Sequence, residues 1–121
     1  ACQGRTATDT DDLQAFLTHG VGQHIDIIRK IRAVLETYMR STYPILFGDT
    51  DWLGEIVGKI RTDGETCPAA ALYDELDAIN DYTKQYHHGE NVADTTPDAI
   101  DSTELRGFTK RTLRIVNATP A

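Results

Sequence analysis

Apolar residues recur at steps of three and four along most of this chain, and no sustained alternation of apolar and polar residues marks a strand. Between His24 and Tyr43, the positions Ile27, Ile28, Ile31, Val34, Leu35, Tyr38 and Met39 fall on one side of a 3.6-residue repeat. That spacing predicts a long amphipathic helix stopped by Pro44. Ahead of it, Leu13, Phe16 and Leu17 follow an acidic start and precede Gly20, which predicts a short first helix over residues 9–18. Trp52, Leu53, Ile56, Val57 and Ile60 predict a further helix, with Thr50 or Asp51 as N-cap and Gly64 past its end. Gly54 and Gly58 lie inside it; a helical glycine costs roughly 1 kcal/mol against alanine, so close approach of another helix is expected there.

The next helix is expected from near Pro68, which a first turn tolerates, through Leu72, Leu76, Ile79, Thr83 and Tyr86 to Gly89. From Glu90 to Glu104 the chain has five acids and no base, together with Pro97, and reads as an acidic solvated loop over 90–101. The last helix begins at Asp101, where Asp101-x-x-Glu104 resembles a capping box. It turns Leu105, Phe108, Thr112, Ile115 and Val116 inward and Arg106, Lys110, Arg111 and Arg114 outward. The expected fold is all-α, a bundle of four main helices plus a short N-terminal one, forming a single domain over residues 1–121.

Charge changes this picture. The chain carries 19 Asp and Glu against 12 Lys and Arg, a formal net charge of -7, so capture of nucleic acid by bulk attraction is not expected and any polyanion contact must be local. No run approaches the roughly 18–20 apolar residues of a membrane span, and the first residues lack a basic-then-apolar leader; a cytoplasmic location without a membrane partner is expected. A start at Ala1 suits a processed end or a domain cut from a longer protein, and the second is expected. Cys2 and Cys67 are too few for a disulfide framework and read as reduced thiols. Without a secretory signal, the Asn117-Ala-Thr119 acceptor pattern is discounted.

Two groups of residues could carry chemistry. On the long helix Arg29, Arg32, Glu36 and Arg40 stand three, four and four apart, forming a stripe beside the apolar face in which Arg32 and Glu36 can pair. This is either a solvated ion-pair ladder or an oriented guanidinium beside a carboxylate, suited to phosphate recognition and proton handling. The second group is Asn80, Lys84 and His87 on one helix edge, with His88 turned further toward solvent. A histidine pair near a helix C-terminus either answers the last carbonyls or does acid-base work. No metal is expected, since adjacent histidines face different sides of a helix and no third ligand stands at a suitable spacing. No cofactor is expected either, because there is no glycine-rich phosphate loop after a strand.

The Arg32-x-x-x-Glu36 helix followed by Asn80-Asp81 and His87-His88-Gly89 resembles HEPN-type ribonuclease domains. Residues 24–117 further resemble the C-terminal helical region of large bacterial ATPases related to the anticodon nucleases RloC and PrrC. The phrases that carry this likeness are Ile31-Arg-Ala-Val-Leu-Glu-Thr-Tyr38, Trp52-Leu-Gly54, Ile79-Asn-Asp-Tyr82, Tyr86-His-His-Gly89 and Glu104-Leu-Arg-Gly-Phe108. The resemblance implies a HEPN-like fold and a metal-independent endoribonuclease acting on RNA such as tRNA, the effector end of an ATPase-linked antiphage or stress system, working as a homodimer. It further implies that His87 or His88 is the general acid or base, that Arg32 and Glu36 match the Arg-x-x-x-Glu element, and that Asn80 is the polar residue before the histidine. Arg29 and Lys84 are the remaining candidates for substrate contact. One departure is plain: Ile79 stands where the usual signature has arginine. Either Arg29 or Arg32 supplies that charge, or the chain is a non-catalytic dimerisation or docking domain.

Overall fold

The computed structural model describes residues 4–48, 51–86 and 100–117, with side chains from residue 9 onward. The described residues form five α-helices and no strand: α1 (Gly4–His19), α2 (His24–Thr42), α3 (Leu53–Asp63), α4 (Tyr73–Lys84) and α5 (Ser102–Asn117). The all-α expectation is met.

Several boundaries differ from the expected ones, each for a local reason. α1 is 16 residues long, not short, because nothing in residues 4–8 breaks a helix and the acids at Asp9, Asp11 and Asp12 lie inside it. It ends where Gly20, at φ +71°, turns its N–H back to the Phe16 carbonyl at 2.8 Å. Gly22, at φ +120°, then fixes the turn into α2, and a Cβ there would meet Ile27 Cδ1 at 3.0 Å. The N-cap of α3 is Trp52, not Asp51, and Thr50 lies outside the described residues. Trp52 donates its N–H to Glu55 Oε1 at 2.9 Å, whereas the Asp51 carboxylate is taken up by the Gly48 N–H and Lys59 Nζ. Pro68 starts no α-helix; it sits between two 3₁₀ turns, Gly64–Thr66 and Ala70–Leu72, and α4 follows the second. Asp101 does cap α5, its Oδ1 accepting the Thr103 N–H at 2.9 Å. α4 ends at Lys84, short of the expected run through Tyr86 to Gly89, with Gln85 and Tyr86 in a turn closed by the Tyr86 N–H on the Thr83 carbonyl at 3.1 Å; most of the acidic loop, with residues 87–99, lies outside the described residues.

α2 is the centre of the bundle, packed against all four other helices, while α1 rests on α2 and α5 and α3 rests on α4. Its fully buried residues Ile27, Ile28, Ile31, Val34, Leu35 and Met39 meet Leu13 and Phe16 of α1 and Leu53, Ile56 and Ile60 of α3 in one core. Because neighbours surround it, eight of its 19 residues are buried, Arg32 and Glu36 among them. The predicted close approach at Gly54 and Gly58 does not occur. A Cβ at Gly58 would meet nothing within 4 Å, and one at Gly54 would lie 4.0 Å from Asn80 Oδ1, because α3 packs through Leu53, Ile56, Val57 and Ile60 instead.

The seam between α4 and α5 combines stacking with charge. Tyr82 and Phe108 lie face to face at 4.1 Å, and Arg111 covers Phe108 while its guanidinium donates to both Glu75 oxygens at 2.7 and 3.1 Å. The Arg111 hydrogen bonds hold the Glu75 carboxyl below its ordinary value of 4.5, outweighing the opposing effect of burial.

Two outcomes follow from these contacts. Gly58→Ala raises unfolding stability by about 0.5–1 kcal/mol in urea titration, since the added methyl is unobstructed and the unfolded chain loses freedom. Glu75 is depressed in the folded state, so its stabilisation is full above about pH 4.5 and is lost as pH falls further. Relative to Glu75→Gln, the protein's stability advantage is therefore constant near neutrality and shrinks in acid, as read from urea midpoints across that range.

Candidate functional site

The two groups singled out in the sequence meet. Arg32, in the middle of α2, donates from one Nη1 to Asn80 Oδ1 at 3.0 Å and to Thr83 Oγ1 at 2.9 Å, joining α2 to the last turns of α4. Thr83 in turn donates a hydrogen bond from its hydroxyl to the Ile79 carbonyl at 2.8 Å. Arg32 is 8% exposed as a residue, and its Nε has no hydrogen-bond partner among the described residues. Burial lowers the Arg32 pKa from its ordinary value and the field of the Glu36 carboxylate opposes that shift. An arginine nonetheless stays charged across any working pH, so a permanent cation is enclosed beside neutral acceptors.

Glu36 does not form the expected hydrogen-bonded pair with Arg32. One turn further along α2, its Oε2 accepts the Leu53 N–H at 2.7 Å, answering the first exposed donor of α3 from another helix. The carboxylate also complements the positive end of the α3 dipole. Arg40 follows the same logic outside the core: its Nε and Nη2 both donate to the Asp51 carbonyl, and its guanidinium lies over the Trp52 ring at 5.6 Å. The predicted solvated ladder is therefore three separate attachments of α2 to the segment that starts α3 and to α4.

Other candidates scatter. Arg29 is half-exposed and pairs loosely with Asp26 at 3.8 Å. Lys84 is exposed and pairs with Asp81 at 3.1 Å, so it does not share the Asn80 environment although it stands one turn away. His87 and His88 lie outside the described residues, which end at Tyr86 just before them. Thr83, expected only as a core position, also carries a polar contact. Its signal is its place three residues after Asn80, which brings a hydroxyl onto the edge facing Arg32. Tyr82 next to it holds a buried hydroxyl without a partner among the described residues; burial raises its pKa, so it remains protonated and serves as no base. No group of three His, Cys, Asp or Glu side chains converges at metal-ligand distance among the described residues.

Chemically, the cluster can hold the end of α4 in register and place a positive field there. The Arg32 guanidinium itself is too enclosed for a polymer phosphate to sit against it without rearrangement. Glu36→Leu, which leaves the Leu53 N–H unanswered, lowers stability by about 1–3 kcal/mol in urea titration. Glu36→Gln keeps an acceptor and loses clearly less. No protein-family model, curated protein or solved structure matches this chain.

Proposed function

We propose that this chain is a HEPN-like, metal-independent endoribonuclease domain, the effector end of an ATPase-linked antiphage or stress system, acting on RNA as a homodimer in the bacterial cytoplasm. The observation that supports it best is the Arg32 bridge to Asn80 and Thr83, because it joins the Arg-x-x-x-Glu helix to the helix whose sequence continues into His87 and His88. In this reading Arg32 is a positioning residue. It fixes the edge of α4 that precedes the histidines and raises the positive potential there, while Glu36 orders the start of α3. Proton transfer belongs to His87 or His88: a neutral imidazole takes the proton of a ribose 2′-OH, that oxygen attacks the adjacent phosphorus, and the departing 5′ oxygen receives a proton from an imidazolium. The products are a 2′,3′-cyclic phosphate and a 5′-OH, and no metal is needed for that route. Charge on the phosphate is met by an exposed cation such as Lys84 or Arg29, or by the second copy.

A second reading is favoured by burial. Arg32 and Glu36 are each 8% exposed and each is bonded inside the fold, which is what a non-catalytic helical interaction domain of a larger protein also requires.

Incubation of the purified dimer with tRNA in EDTA separates the two. The ribonuclease reading expects cyclic-phosphate ends, loss of cutting by at least about a hundredfold in one of His87→Ala and His88→Ala, within the range of a general acid-base group, and a smaller loss in Arg32→Lys. Cutting that is unchanged in both histidine variants, or absent from a folded dimer, overturns it in favour of the interaction domain.

A further inference from the structure

Lys110 and Arg114 stand out by their electrostatics. Every other Lys or Arg with a described side chain is engaged with a carboxylate, a carbonyl or a neutral side-chain oxygen. These two make no hydrogen bond or ion pair among the described residues, although the charge of Arg114 is felt at the Glu75 carboxylate. Four residues apart on α5, they are neighbours on one edge of the helix, both exposed.

Arg114 also lines a cleft of about 420 Å³ bounded by Tyr38 of α2 and Tyr43 just past its end, Leu72 of the second 3₁₀ turn, Glu75 in the first turn of α4, and Ile115 of α5. That volume lies within the roughly 300–1,000 Å³ of small-ligand sites. The acid in the described lining, Glu75, is bonded at two points by Arg111, and the charge of Arg114 also acts on its carboxylate, so two cations face one acid there. Tyr43 is half-buried and held edge-on to Phe47 at 6.2 Å, which fixes its ring. Two phenol rings, an apolar wall and an unpaired guanidinium with a second cation one turn away suit a flat, partly polar ring bearing phosphates. The cleft is not part of the Arg32 cluster: neither Arg32 nor its partners Asn80 and Thr83 line it.

We propose that this cleft holds one unstacked nucleotide of single-stranded RNA, its base against Tyr38 and Tyr43 and its neighbouring phosphates on Arg114 and Lys110. Unstacked bases are read in this way, by aromatic faces next to a cationic track. Two cations a turn apart match successive phosphates of a strand, and the chain has no glycine-rich loop to cradle the phosphates of a free nucleotide. The choice of RNA rests on the ribonuclease reading; the cleft, its tyrosines and its unpaired cations do not.

The test is fluorescence anisotropy of a labelled twelve-nucleotide oligouridylate, measured with the full chain carrying His87→Ala and His88→Ala so that the strand stays intact, with uridine monophosphate as competitor. On that background Lys110→Gln/Arg114→Gln weakens binding by about tenfold or more and flattens the dependence of log K on log salt by about 1.4, or about 0.7 per phosphate in a single strand. Tyr38→Leu weakens binding without changing the slope. Melting followed by circular dichroism stays constant in all three proteins. Unchanged affinity in both sets of variants overturns the proposal, as does monophosphate binding as tightly as the oligomer, which would make this a free-nucleotide site. Loss of binding in the variants, with no cutting by the unmodified protein, supports the cleft and removes the ribonuclease reading alone. Cutting with binding indifferent to Lys110, Arg114 and Tyr38 does the reverse.

Discussion

A helix touched by four others cannot keep a wide solvated face, and α2 is that helix. Its apolar residues fill the core, but Arg32 and Glu36 are enclosed along with them. Enclosing a charge is tolerable only when hydrogen bonds replace the lost water, and each finds its partner on a different neighbour: Asn80 and Thr83 on α4 for Arg32, the Leu53 N–H on α3 for Glu36. Packing alone would let α3 and α4 slide along α2. The directional bonds pin their positions along its axis, so the placement of the remaining elements follows from how this one helix disposes of its polar side chains.

The helices were legible because apolar spacing is a property of each segment by itself. Their ends were less so wherever the groups that satisfy them come from afar. The first donor of α3 is answered from 17 residues earlier in the chain, and no inspection of residues 49–55 would find it. Gly54 and Gly58 suggest a tight helix crossing, but Gly58 faces open space and Gly54 meets only the tip of the Asn80 side chain, at ordinary contact distance. For the candidate site, Arg32 and Asn80 were both visible as residues, while their meeting across 48 positions was not. Asn80 and Lys84 show the limit of helical spacing: one turn separates a residue sealed against α2 from one in water.

Burial also redistributes chemical roles. An arginine bonded to neutral oxygens inside the bundle acts at a distance, through its field and through the backbone it steadies. Groups that touch a substrate must then come from the surface, where most cations are already matched with acids. The negative total charge of the chain is thus a poor guide to its local character. Around Glu75 the acid is cancelled by Arg111, and the balance that remains on that side of α5 is positive.

Arg106 donates to the Leu17 carbonyl at 2.9 Å, tying the end of the first helix to the start of the last across 89 positions. Closing a flexible loop of that length costs roughly 4 kcal/mol in chain entropy, more than one solvent-exposed hydrogen bond contributes. The two terminal helices therefore stay joined only while Leu13 and Phe16 remain packed in the core shared with α2 and α5. Loosening either helix thus weakens the hold on the other.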